Sequence, residues 1–493
     1  MSRTVTPKPC SPFFTLALVL SVILAFSIVS PAQVALNEIS KDPFTNIGPQ
    51  HATEVEPDTF SFGKTIVTAF QQGRFNLNGG CSDIGWATSL DGGMTWQSGS
   101  LPGLTKNLGG GKFLRVSDPA VAFDAAHSTW MIASLPLQAS GSHTAMLMSR
   151  STDGITWNNP VNVTVPVENS DKTWVACDNN SGSPFFGHCY AEWDDNFAGD
   201  VIFLNTSTDG GMTWGPNTQP AGGPTGLGGN PMAQPNGTVI VPTSDAFASS
   251  LLAYTSADGG NTWSSTVTIA VPNTHANSGG LRDLNLPGAA IDAAGKVFVA
   301  WHDCSFRSGC PSNDIVFSTS TNGKTWSKAL RVPIDPTTST VDHFIPGIEI
   351  EPGTSGSTAH IGLTYYFYPV SNCTVTTCQL MEGYVSSPDG GTTWTAPITL
   401  AGPMSLKSLP ATSLGPMVGD YQSLSFAGGT AHPVFALANP RSSGKFDEAM
   451  YSPVSGLTDG IAIYPAGQDK PVPNAHSDHP PLTTPIKDND DED

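Results

Sequence analysis

Ser207-Thr-Asp-Gly-Gly-Met-Thr-Trp214 is one of six near-copies of the same short stretch. Three more have its full length: Ser89-Leu-Asp-Gly-Gly-Met-Thr-Trp96, Ser256-Ala-Asp-Gly-Gly-Asn-Thr-Trp263 and Ser387-Pro-Asp-Gly-Gly-Thr-Thr-Trp394. Two are one residue shorter: Ser151-Thr-Asp-Gly-Ile-Thr-Trp157 and Ser320-Thr-Asn-Gly-Lys-Thr-Trp326. Asp-Gly between β-rich runs is a hairpin signal, because the carboxylate bonds nearby amides and glycine takes a positive φ. The tryptophan that follows brings a large apolar surface back onto the sheet. These residues therefore hold hairpins and carry no chemistry of their own. Successive tryptophans lie 49 to 68 residues apart, a period long enough for one small sheet per repeat.

Each copy closes a unit of alternating strands. In the clearest, Pro119-Ala-Val-Ala-Phe-Asp124, Trp130-Met-Ile-Ala-Ser-Leu135 and Ala145-Met-Leu-Met-Ser149 precede the turn. Similar units start near Glu54, Asp171, Gly228, Arg282 and Asp342, and a seventh near Asp420 ends without a turn of this kind. The six copies resemble the Asp-box, or bacterial neuraminidase, repeat of sialidase-like β-propellers, over residues 51–455. The resemblance implies an all-β propeller of four-stranded blades. Seven blades are predicted, with six as the alternative. Residues 34–45 are expected to supply the outer strand missing from the last unit, closing the ring and removing an open edge.

Composition narrows the rest. Lys+Arg 21 against Asp+Glu 41 gives a net charge of −20, which argues against nucleic-acid binding. Residues 1–32 read as a secretory signal: Arg3 and Lys8, an apolar run over 13–29, then Ser30-Pro31-Ala32 before a cleavage point. An uncleaved anchor is the lesser reading. The expected product is secreted, to the exterior or a periplasm, with no membrane contact after cleavage, and a monomer. Disulfides are expected between Cys177 and Cys189, Cys304 and Cys310, and Cys373 and Cys378, leaving Cys81 unpaired. The propeller is expected over 33–462 and a disordered, Pro-rich acidic tail over 463–493.

Charges cluster where the units start: Glu54/Glu56/Asp58, Arg115/Asp118, Asp171/Lys172, Arg282/Asp283, Asp342/His343 and Asp420/Tyr421. The family resemblance puts the boxes on the opposite end of the propeller, so these starts, with the loops between second and third strands, form the expected functional end. Five of the seven arginines beyond the signal fall there: Arg74, Arg115, Arg282, Arg307 and Arg441. Arginine suits bidentate carboxylate recognition. The competing explanation is that loops hold charges anyway, paired as Arg115 with Asp118 and Arg282 with Asp283.

Catalytic sialidases, the resemblance implies, use three arginines, a tyrosine nucleophile paired with a glutamate, and an aspartate acid/base. The Arg-Ile-Pro signature of the first arginine is absent here. Arg115 and Arg282, with Arg441 or Arg307, are candidate substrate ligands, joined by Lys172 and His343. Tyr421 is the candidate nucleophile, Glu349 its partner, and Asp118 or Asp171 the acid. No cofactor or metal is expected, although the oxygen-rich loop from Asp194 to Asp200 has the composition of a weak Ca²⁺ site. The leading expectation is a glycoside hydrolase on extracellular glycans, an exo-α-sialidase among the options. The alternatives are a non-catalytic propeller binding carbohydrate or protein through the same funnel, and a structural scaffold.

Overall fold

The computed structural model describes residues 1–5, 34–138, 145–164, 170–460 and 462–472. Most of the signal segment and the tail from 473 onward lie outside the described residues. The described fold is all-β, a propeller of antiparallel sheets; the helical elements described are four short 3₁₀ turns. None of the described helices is long and apolar enough to cross a membrane.

Sequence period dictates the strands. Runs such as Arg115–Asp124 and Thr129–Leu137 are buried over nearly their whole length, because each sheet is covered on both faces by its neighbours. The core is accordingly divided into slabs. Val67 and Ala69 of the first unit pack on Val121, Phe123 and Trp130 of the second. Phe298 and Phe317 of the fifth pack on Leu363 and Trp394 of the sixth. The last slab returns to the beginning, joining Phe435 and Met450 to Phe70 and Ala87. First strands follow one another in the same closed order: Gln50–Phe62, Arg115–Asp124, Ser170–Cys177, Met232–Ala233, Gly288–Ile291, Asp342–Ile350, Ser423–Ala427, and back to Gln50–Phe62.

The sheets depart from seven uniform four-stranded blades. Five stand apart, four of four strands and one of three, beside a single eight-stranded sheet. The eight strands arise because Cys81 pairs with Val116, linking the third strand of the first unit to the first strand of the second. The three-stranded sheet lacks a fourth strand because residues 215–225 touch Val201–Ser207 only at the isolated pairs Leu204–Thr218 and Val201–Thr225. The N-terminal strand stands where expected: Leu36–Glu38 pairs antiparallel with Glu448–Pro453 as the outer strand of the last sheet.

Four first strands carry the same irregularity. Residues 56–57, 118–119, 172–173 and 345–346 each place two residues opposite one on the neighbouring strand. The first residue of each bulge is left-handed: Glu56 (φ 56°), Asp118 (46°), Lys172 (40°) and Ile345 (49°). Glycine is the usual occupant of such a position, and a side chain there costs about 1–2 kcal/mol. Pro57, Pro119 and Pro346 fill the second position, where no ladder N–H is required.

The six turns share one hydrogen-bond pattern. In the third, Ser207 Oγ donates to Asp209 Oδ1 (2.9 Å), and Asp209 accepts from the Thr213 N–H (2.9 Å) and hydroxyl (2.5 Å). Their glycines make the close approach that seats one unit on the previous one. A Cβ on Gly211 would lie 2.5 Å from Met131 Sδ of the second unit, and one on Gly93 would lie 2.3 Å from the His432 ring of the last. All three expected disulfides are present, and Cys81 is a buried free thiol.

Part of the segment from 463, the expected start of the tail, packs on the propeller, and the rest of that expected tail lies outside the described residues. Ala462–Pro465 pairs with Thr393–Thr395, Asp469 reaches Arg331 at 3.0 Å, and the Val472 N–H donates to Ser305 O. A free main-chain edge at the sixth turn gives this segment its partner.

Candidate functional site

Charges from five units come together, three of them (Glu56, Asp118 and Lys172) placed there by the bulges. Arg282, from the loop entering the fifth unit, meets Asp420 in a two-point contact: Nε to Oδ1 at 2.7 Å and Nη2 to Oδ2 at 2.6 Å. Lys172 Nζ lies 3.1 Å from the same Asp420 Oδ2 and 3.8 Å from Asp118 Oδ1. Glu56 accepts from the Asp420 N–H at 3.3 Å and from the Gln71 amide. All five charged side chains are buried. Burial, with Asp420 and Asp118 beside it, holds the Glu56 carboxyl well above the usual carboxylate range, against the pull of Lys172 and Arg282.

Asp58, two residues past Glu56, ties three first strands together by accepting the Val121 N–H (2.7 Å) and the Ser423 hydroxyl (2.9 Å). Tyr421 flanks the cluster. Its hydroxyl donates to Pro119 O at 2.9 Å, its ring meets Trp174 edge-on at 5.2 Å, and burial beside Glu56 and Asp118 keeps its proton firmly bound. Tyr421, Trp174 and Lys172 border a cavity of about 40 Å³ floored by Leu286, Pro287, Pro346 and Ile348. That space holds a water molecule and no sugar ring.

The nominated residues thus divide. Asp118, Lys172, Arg282 and Tyr421 come together. Asp171 adjoins them, its Oδ1 accepting the Lys172 N–H and its charge raising the neighbouring buried Asp194, which burial has already lifted. Glu349 accepts the Ile350 N–H and makes no hydrogen bond with Tyr421. Arg115 lies over the Phe75 ring at 3.9 Å and bonds the carbonyls of Leu77, Asn78 and Gly79. Arg441 lies over Phe446 and bonds Leu409 O.

Arg307 bonds Asp314 (2.6 Å) and Asp335 (2.7 Å), which Arg331 also contacts. His343 stands beside these two carboxylates, with its Nδ1 at Asn313 O (3.1 Å). Asp314, Asp335 and His343 have the spacing of metal ligands, but two guanidiniums already neutralise the carboxylates, so a cation does not fit. In the oxygen-rich loop from Asp194 to Asp200, Asp195 Oδ1 accepts the N–H groups of Phe197 and Ala198. That is the geometry of a turn rather than of a cation cage.

Sequence reasoning placed Glu56 and Asp420 at the functional end but gave neither a role. For Glu56 the available signal was the proline that follows it: Glu56-Pro57 and Asp118-Pro119 repeat one device, and Glu56 is the equivalent of Asp118.

No protein-family model matches the chain, and no curated protein is similar to it. Solved structures with detectable likeness include a protein of unknown function from Dyadobacter fermentans (15% identity, 72% of this chain and 99% of that one, TM-score 0.45). Others are the NanB sialidase of Streptococcus pneumoniae (14%, 86% and 71%, 0.42) and the intramolecular trans-sialidase of Ruminococcus gnavus (12%, 86% and 98%, 0.41). Likenesses this distant say nothing about activity.

Proposed function

We propose that the chain is a secreted propeller of seven blades, the eight-stranded sheet being two of them, which recognises extracellular glycans without releasing terminal sialic acid. The observation that carries the lack of sialic acid release is the Arg282–Asp420 pair. Of the nominated arginines, Arg282 is the one in the central cluster, and both its Nε and Nη2 donors are committed to a buried carboxylate. A substrate carboxylate would have to displace Asp420 and leave it charged in the interior. Three disulfides support export to an oxidising compartment.

The test is release of free sialic acid from mixed sialoglycans by the purified full chain. No release above background is expected. Release that disappears in Arg282→Ala would overturn the proposal.

A second reading keeps one observation in its favour. Glu56, whose carboxyl burial and the neighbouring Asp420 and Asp118 raise well above the usual range, stands beside two further carboxyl groups, the kind of pairing that glycosidic-bond cleavage uses. It requires the 40 Å³ cavity to open, and it predicts hydrolysis of some glycoside that Glu56→Gln abolishes.

A further inference from the structure

A second and larger space lies at the other end of the propeller, among the turns. It is a cavity of about 390 Å³ between the third and fourth units, within the size range of small-molecule sites. Thr206, Thr208, Thr213, Thr218, His188 and Trp214 line it, with Asn261 at the side of the fourth unit. Among the described residues no carboxylate, lysine or arginine lines it, in a chain of net charge −20. The adjoining carboxylates are already satisfied: Asp209 by Ser207 and Thr213, Asp258 by Ser256 and Thr262.

We propose that this cavity is a binding site for a neutral saccharide. The wall matches that chemistry group by group. The exposed Thr208 hydroxyl can both donate and accept, as a sugar's hydroxyls require, while the Thr213 hydroxyl, which donates to Asp209, and the Asn261 amide, which donates to Asp258 O, keep acceptor oxygens. His188 Nδ1 is 3.2 Å from Gly259 O, so it carries the proton and leaves Nε2 as an acceptor. Trp214 supplies an aromatic surface for the apolar face of a pyranose. Beside the cavity, Thr206 Oγ1 and Trp214 Nε1 are buried without a protein hydrogen-bond partner among the described residues. A phosphate, sulfate or sialic acid would find no cation to offset its charge. The site is fixed in place by the Cys177–Cys189 disulfide next to His188 and by the close approach of Gly260 to Thr206 and Tyr190.

This inference rests on the proposal that the protein recognises glycans, and the experiment separates the two. Ligand-detected NMR would be run on the full chain with a panel of neutral mono- and disaccharides and with sialyllactose. Thr208 is exposed and makes no side-chain hydrogen bond among the described residues, so Thr208→Trp fills the cavity without disturbing the core. Thr152 holds the matching exposed place in the second turn, and Thr152→Trp controls for the added indole.

Binding of at least one neutral sugar is expected, weakened about tenfold or more by Thr208→Trp and by His188→Ala, and unchanged by Thr152→Trp. A neutral sugar that binds equally well to Thr208→Trp and His188→Ala would overturn the cavity site and leave glycan recognition standing. Binding of sialyllactose alone would overturn the neutral class. No binding by any sugar would overturn both proposals.

Discussion

The two ends of the propeller handle charge in opposite ways. At the end where first strands begin, left-handed bulges drive Glu56, Asp118 and Lys172 inward, and the resulting charges neutralise one another around a space of about 40 Å³. At the turn end every box carboxylate is bonded within its own turn, and an uncharged cavity nearly ten times larger remains. A concentration of charge in sequence therefore marks where the chain pays for its own closure, and the open, ligand-sized space lies where the sequence looks purely structural. Charged residues are informative about a site only when their partners are known.

The largest expected effect contrasts the two ends through pH. Burial lifts Asp58 and Asp83 to about 7 and Glu54 and Asp342 to about 8, from ordinary values of 3.8 and 4.5. The folded state therefore holds more protons than the unfolded chain across this interval, and stability falls as pH rises from about 4 to about 8. In the turns the sign reverses. Bonds from Thr95 lower Asp91 to about 2, and those from Thr156 lower Asp153 likewise. Their contribution is complete above about pH 4 and is lost as pH falls toward 2. Melting temperature is expected to peak near pH 4–5; a profile flat or rising to pH 8 would remove the contrast.

Next in size is the loss of the central acceptor. Asp420→Ala leaves Arg282 and Lys172 buried without their main partner and is expected to cost about 3–5 kcal/mol in denaturant unfolding. A cost below about 1 kcal/mol would mean that water reaches the cluster and solvates the two cations.

Ring closure gives the third test. Gly93→Ala adds a methyl group 2.3 Å from the His432 ring, at a φ of 84°, and should cost about 2–3 kcal/mol. Gly92→Ala, one residue earlier and with nothing within 4 Å, should cost about 1 kcal/mol. Equal costs would show that backbone conformation alone matters and that the first turn does not lean on the last unit. The smallest effect belongs to a turn carboxylate: Asp209→Ala gives up hydrogen bonds in a solvent-facing loop, about 1 kcal/mol. A loss as large as that of Asp420→Ala would erase the distinction between the ends.

Much of the fold was legible because its signals are local. Asp-Gly turns followed by tryptophan, alternating strands and short cysteine spacings each depend on a few adjacent residues, and the repeat multiplied them six times. The outer strand at Leu36–Glu38 was legible by elimination, since the last unit lacked one. Sheet membership was less so: whether Cys81 bridges to Val116 depends on how closely two units approach, which no local pattern encodes. The site was legible only in part. Asp118, Lys172 and Arg282 could be placed near one end, but Arg282 finds its partner 138 residues away at Asp420 rather than beside it at Asp283. Pairing by adjacency fails where strands converge.

The pairing of Leu36–Glu38 with Glu448–Pro453 has a consequence for how the protein comes into being. The sheet that closes the ring needs a piece made near the beginning of synthesis and a piece made near its end, so the circle cannot be completed until almost all of the chain exists. Every earlier intermediate presents an unpaired edge at each end of an incomplete arc. Contacts this distant in sequence also fold slowly. A chain cut short near residue 440 should therefore accumulate as an aggregate of open arcs. A circular permutant that joins residue 34 to residue 456, and opens elsewhere in an exposed turn, would convert the slowest pairing into a local hairpin.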